Sequence, residues 1–224
     1  MKAAIIQHTP SSPYGSTLDF FKQNQIETTI FDLKQEISFP QLHDFDVLVI
    51  CGGGMNVDEE AKYPWLATEK KLIKDAISAN KKIIGLCLGG QLIAEVLGAR
   101  VSQHPHWENG WQSVQLDCPL TPEIKNLTVF QWHGYSFDTP KGATKIASNE
   151  ACEHQAFMFG EHVIGFQFHP ETTVAWAIEC AEDKDQPAPG KYVQSPRQIL
   201  NGNHHQANLQ QWYFQVLEKL LKLN

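Results

Sequence analysis

Two stretches of this chain are apolar without interruption, and each stops on glycine. Asp46-Val47-Leu48-Val49-Ile50-Cys51 runs into Gly52-Gly53-Gly54, and Lys82-Ile83-Ile84-Gly85-Leu86 runs into Cys87-Leu88-Gly89-Gly90. A strand with one wet face alternates polar and apolar residues. A strand that is apolar throughout must be covered on both faces, as in a parallel sheet between helix layers. The neighbouring pattern agrees. Residues 3–7 and 26–31 predict two more strands, and 18–25 a helix. Over 65–79, Trp65, Leu66, Leu72, Ile73, Ala76 and Ile77 fall on one helical stripe, and 89–97 reads as a helix closed by Gly98. The expected fold is therefore α/β, doubly wound and flavodoxin-like, with a mostly parallel central sheet and helices on both faces.

Past Val101 the rhythm changes. Short strands are expected at 112–116, 128–132, 144–147, 156–159 and 163–168, the last two joined by a Gly160-Glu161 turn. They form a small additional antiparallel region. A helix is expected at 172–181. Residues 182–205 are polar and hold Pro187, Pro189, Gly190, Pro196 and Gly202, which predicts a long loop. A C-terminal helix follows over 206–224, amphipathic from Leu209 to Leu223. With no internal repeat and no linker, residues 1–224 read as one domain.

Composition narrows the function classes. Of 224 residues, 42% are hydrophobic, enough for a substantial core, and the formal charge is −7 with no Lys/Arg block. Nucleic acid and anionic membranes are not the expected partners. The apolar N-terminal run is too short for a secretion signal, and no stretch approaches the roughly 18 apolar residues of a membrane span. Five widely spaced cysteines without a CxxC suggest reduced thiols rather than a disulfide framework. A cytoplasmic location follows as the expectation.

Gly85-x-Cys87-x-Gly89 has the small-nucleophile-small pattern of a sharp strand-to-helix turn. Its neighbours must be glycine for the chains to pack, and the following helix N-terminus favours a thiolate and offers the Leu88 N–H to a developing oxyanion. By itself the motif fits a buried structural cysteine equally well. Three features point to chemistry. Gly52-Gly53-Gly54 puts side-chain-free backbone at a strand end. Phe166-Gln167-Phe168-His169-Pro170-Glu171 ends an apolar strand on a histidine, with a carboxylate two residues on to fix its tautomer. Gln91 follows one helical turn after Cys87, placed to hydrogen-bond a polar substrate. His104-Pro105-His106 and His204-His205 lack carboxylate or cysteine neighbours at ligand spacing and read as solvated loops. His133 reads as a positioning or structural group, and Cys51, Cys118, Cys152 and Cys180 as packing residues. No metal and no cofactor is expected.

Taken together, the glycine loop, Gly85-Leu86-Cys87-Leu88-Gly89-Gly90-Gln91 and Gln167-Phe168-His169-Pro170-Glu171 resemble the class I (triad) glutamine amidotransferase domain, over most of residues 5–173. Gln131-Trp132-His133-Gly134 and Gln155-Ala156-Phe157 are similar to its stand-alone, GMP-synthase-like branch. The resemblance implies Cys87 as nucleophile, His169 as base and Glu171 as its orienter. It implies an oxyanion hole from the Gly53 and Leu88 N–H groups, with Gly54 in the same loop, and a glutamine site built from Gln91 and the Gly134-Tyr135 backbone. Three positions depart from the family: Gly54 stands where it usually has Pro, Asn56 where it has Ser, and Tyr135 where the branch has Asp. The first two imply a looser loop, with the hole completed by substrate or partner.

Three functions are weighed. In the first, the chain hydrolyses glutamine through a Cys87 thioester and hands ammonia to a separate synthetase or acceptor protein, because the chain has neither room for a synthetase nor a P-loop. In the second it is a γ-glutamyl hydrolase acting on a γ-glutamyl small molecule. In the third it is a non-catalytic module that keeps the fold.

Overall fold

A computed structural model describes residues 1–10 and 14–223. The chain begins with strand β1 (Lys2–Gln7), helix α1 (Ser16–Gln23) and strand β2 (Glu27–Asp32). Strand β3 (Val47–Ile50), helix α2 (Trp65–Ser78), strand β4 (Lys82–Leu86) and helix α3 (Leu88–Val96) follow. Five strands come next: β5 (Val101–Leu116), β6 (Asn126–Phe137), β7 (Ala143–Ser148), β8 (Ala156–Phe159) and β9 (Val163–Phe166). The chain closes with α4 (Val174–Glu182), α5 (Pro196–Asn201), a 3-10 turn (Gly202–His205) and α6 (Gln206–Leu221).

All nine strands form one sheet in the order β2-β1-β3-β4-β9-β8-β7-β5-β6. The half from β2 to β9 is parallel, and the half from β9 to β6 is antiparallel. The order is the doubly wound one, with β9 in the place of a fifth parallel strand. The antiparallel region continues this sheet rather than standing beside it. It is also longer than the sequence pattern suggests, because β5 begins at Val101 and β6 runs on to Phe137.

Alternation within single strands explains both covered faces. Ala3, Ile5, Val47, Val49, Ile84 and Leu86 face a core completed by α1, α4 and α6. Their immediate neighbours Ala4, Ile6, Leu48, Ile50 and Ile83 face the other core, completed by α2 and α3. The expected stripe on α2 is buried at Leu66, Leu72, Ile73 and Ala76, while Trp65 and Ile77 are half-buried. The stripe also contains a carboxylate, Glu69, fully buried.

The expected loop over 182–205 is corrected. Residues 183–195 are irregular, but Pro196–Asn201 is helical and Gly202–His205 is a 3-10 turn. Pro196 sits at the first helical position, where its missing N–H costs nothing, and Ser195 and Gln198 form a capping box. The irregular part is laid against β5. Asn109 bridges to Val193, the Gln194 N–H donates to Asn109 Oδ1 at 2.6 Å, and the Gln194 amide pairs with both backbone groups of Trp111. The expected helix over 206–224 ends at Leu221, and Asn224 lies outside the described residues. The histidine pairs are corrected too. His104 and His106 belong to β5 at a break in register between Gln103 and Glu108, and His204 and His205 belong to the 3-10 turn. Among the described residues, no helix is long and apolar enough to cross a membrane.

Candidate active site

The strand order brings three carboxyl ends side by side: β3 leading into Gly52, β4 into Cys87 and β9 into Gln167. At the end of β4 the chain turns on Cys87, which holds φ 52°, a left-handed backbone rarely taken by a residue with a side chain. Its N–H donates to Phe166 O on β9 at 2.9 Å, and its carbonyl accepts from Gln91 N at 3.0 Å. The turn is packed so closely that a β-carbon on Gly85 would lie 2.6 Å from Gly89, and one on Gly89 would run into the Ile50 carbonyl. Glycine at both positions is therefore a steric requirement.

On the loop that leaves the neighbouring strand β9, His169 is held from three sides. Its N–H donates to Phe130 O at 2.9 Å, its carbonyl accepts from Thr172 Oγ1 at 2.7 Å, and the Trp176 ring lies 4.7 Å from the imidazole. Nδ1 donates to Glu171 Oε1 at 2.7 Å, with both groups buried. That contact leaves Nε2 for Cys87. Burial by itself would lower the His169 pKa, but the Glu171 and Cys87 charges outweigh it and push it up to about 10. Glu171 is fixed in turn by its backbone, whose carbonyl accepts from Ser16 N at 2.9 Å.

Cys87 and His169 open into a cavity of about 320 Å³ whose walls include Gly53, Gly54, Gln91, Gly134 and Tyr135. All five are expected site residues. Leu88 lies behind the wall with its side chain buried, and its N–H belongs to the first turn of α3, where no intrahelical acceptor exists. Gly53 is tight, since a β-carbon there would lie 2.8 Å from Leu88 Cδ2 and 3.1 Å from His8 Cβ. A β-carbon on Gly54 would meet nothing within 4 Å, so that glycine is not sterically required.

Gln91 and Tyr135 are less free than the sequence suggests. Gln91 Nε2 donates to Tyr135 O at 3.2 Å and to Gln167 Oε1 at 3.1 Å, and Gln167 Nε2 lies 3.7 Å from Cys87 Sγ. The Tyr135 carbonyl also accepts from His133 Nδ1 at 3.0 Å. His133 Nε2 in turn stands 3.1 Å from Glu108 Oε2, deep in the protein. Burial raises the Glu108 pKa, but His133, Asn149 and Gln155 lower it by more, so Glu108 is held as a carboxylate. Trp107 lies over Gly134, with its indole 2.5 Å from where a β-carbon would stand.

Four polar residues around the cavity were not singled out from sequence: His8, Glu69, Glu108 and Gln167. Gln167 had a signal, as the polar residue between Phe166 and Phe168 in the histidine motif. Glu69 had one as well, as a carboxylate three residues after Leu66 on the apolar stripe of α2. All five cysteines are free and buried, and Cys180 also reaches the cavity wall. Burial pushes the Cys51, Cys152 and Cys180 thiols up, which disfavours the reactive thiolate at these positions.

The sequence profile described as "Glutamine amidotransferase class-I" matches residues 15–176. The chain belongs to this family. A relative in it, the glutamine amidotransferase-like protein YfeJ of Salmonella typhimurium, is 35% identical over 188 residues, covering 78% of this chain and 79% of that one. One component of the glutamine-hydrolysing GMP synthase of Thermoplasma volcanium, which is built from separate subunits, is 33% identical over 155 residues, covering 65% of this chain and 71% of that one. The crystal structure of a glutamine amidotransferase from Methylobacillus flagellatus superposes with a TM-score of 0.92 at 29% identity, covering 99% and 94% of the two chains. One from Thermotoga maritima superposes at 0.88 with 31% identity, covering 99% and 98%.

Proposed function

We propose that this chain hydrolyses the side-chain amide of glutamine through a thioester on Cys87. The carrying observation is the file of Cys87, His169 and Glu171: the first two line the cavity, Glu171 is buried behind them, and the Nδ1–Glu171 contact leaves Nε2 for the sulfur. Sγ, its proton already held on His169, bonds to the amide carbon, and the oxygen of the tetrahedral intermediate receives the Gly53 and Leu88 N–H groups. His169 then returns the proton to nitrogen as the C–N bond breaks, and ammonia leaves. A water molecule, deprotonated by His169, cleaves the thioester and releases glutamate. Gln91 and the Gly134-Tyr135 backbone hold the glutamine.

The relative in Thermoplasma volcanium is by name one subunit of a synthase. That name supports the reading that ammonia passes to a separate synthetase or acceptor protein. The five unpaired thiols suit a cytoplasmic setting. A second substrate, a γ-glutamyl amide larger than glutamine, is favoured by one observation: Trp107, Trp132 and Trp176 give the cavity aromatic walls.

The test is glutamate release by the purified chain from glutamine and from γ-glutamyl conjugates, with Cys87→Ala as control and candidate partners added. Release that depends on Cys87 is expected. Equal inactivity of both proteins on every substrate overturns the reading. Failure of Cys87 to react with a glutamine-like chloroketone would instead favour a non-catalytic module.

A further inference from the structure

Behind the glycine loop, and outside the cavity, lies a third buried histidine–carboxylate pair. His8 follows the end of β1, and Glu69 sits on the buried stripe of α2. Neither side chain is reached by solvent. His8 Nε2 stands 3.0 Å from both Glu69 oxygens, and His8 Nδ1 stands 3.1 Å from the carbonyl oxygen of Gly52. The Trp65 indole stacks on the imidazole, 5.5 Å away and 19° from parallel.

The contact with Gly52 fixes more than one atom. A carbonyl oxygen can only accept, so Nδ1 carries a proton and donates it. No peptide bond among the described residues is cis. In a planar trans peptide the C=O of one residue and the N–H of the next point in opposite directions. The carbonyl of Gly52 and the N–H of Gly53 belong to one such plane. Turning the Gly52 oxygen inward to His8 therefore turns the Gly53 N–H outward, to the cavity that Gly53 lines with Cys87.

We infer that His8, held by Glu69, is a positioning residue that sets the Gly52–Gly53 peptide so that the oxyanion hole exists before substrate or partner arrives. The inference rests on the proposed thioester chemistry. It supplies what Gly54 does not, since the family's proline at that place would stiffen the loop and a glycine leaves the backbone free to turn. The protonation state agrees with the geometry. Burial lowers the His8 pKa, but the Glu69 carboxylate and the Gly52 and Cys51 carbonyls raise it by more.

The test replaces the pair by apolar groups of like shape, because removing His8 alone would strand the Glu69 charge. In His8→Phe/Glu69→Leu the ring can still stack on Trp65, but nothing donates to Gly52. With the substrate that wild type hydrolyses, kcat is expected to fall about 30-fold while KM changes by less than about three-fold, because the donor acts on the transition state. Alkylation of Cys87 by iodoacetamide, which develops no oxyanion, is expected at the wild-type rate. Glu69→Gln keeps the Nδ1 donor and is expected to keep kcat within about three-fold. His8→Leu/Glu69→Met carries the same test should the first pair of changes prevent folding. Wild-type kcat in a folded pair variant, or equal losses in kcat and in alkylation rate, overturns the inference and leaves the proposed function standing. An inactive wild type overturns the proposed function, and the inference falls with it.

Discussion

The amide of Gln167 joins Cys87 to the cavity wall: its nitrogen lies 3.7 Å from Cys87 Sγ, and its oxygen accepts from Gln91 Nε2 at 3.1 Å. Gln167 is fully buried, so both ends of its amide depend on these partners. Gln167→Leu leaves Gln91 with the Tyr135 carbonyl alone and should lower stability by about 1–3 kcal/mol in urea titration. Gln167→Glu is the sharper experiment. A carboxylate beside the sulfur disfavours thiolate, so alkylation of Cys87 at pH 7 should slow about ten-fold.

Glu171→Gln removes the charge that holds His169 up. With the carboxylate gone, imidazolium is no longer stabilised, and substrate turnover should fall at least about a hundred-fold. The same change has a signature in stability. The His169 pKa is pushed from 6.5 to about 10 in the folded chain. Its stabilising contribution is complete below about pH 6.5 and fades as pH rises towards 10. Unfolding free energy of the wild type should therefore decline across that window, and Glu171→Gln should flatten the decline. Urea titrations at both ends of the window measure it.

Two glycines of the site should respond in opposite ways to alanine. Gly89→Ala drives a β-carbon into the Ile50 carbonyl and should cost about 3 kcal/mol or more, read as a thermal melt. Gly54→Ala meets open space and should change stability by less than about 0.5 kcal/mol. A large loss at Gly54 would contradict the packing described for that loop.

Ser195→Ala tests the corrected C-terminal segment. The Ser195 side chain accepts from the backbone at the third position of α5, and its N–H meets Gln198 Oε1 at 2.9 Å. Losing the cap should lower stability by about 1 kcal/mol. No effect would mean that α5 is held by Ile199 and its contacts alone.

The parts of this protein that sequence reveals are those with a local cause. Val47–Ile50 and Lys82–Leu86 are strands because of what each residue is, and Gly85 and Gly89 flank Cys87 because nothing larger fits. The first half of β5 is hidden because His104, Pro105 and His106 have no strand signature, and pairing with β6 is what extends it. Helix α5 is hidden because a proline that looks like a breaker sits at the one position where helices accept it. The buried pairs His8–Glu69 and His133–Glu108 join residues far apart in the chain. Neither member alone differs from a surface charge until the fold removes it from water.

The sheet reverses its sense between β9 and β8, and that seam divides labour. The groups of the proposed chemistry stand on loops that leave β3, β4 and β9, all on the parallel side. Trp107, Trp132, His133, Gly134 and Tyr135, which line the rest of the cavity, come from β5 and β6 on the antiparallel side. On the proposed reading, the cavity-lining side chains of β5 and β6 can change and retune the choice of substrate while the reacting constellation stays in place, because β6 holds His169 only through the backbone carbonyl of Phe130. One inherited bond-breaking apparatus can serve lineages that feed it different molecules.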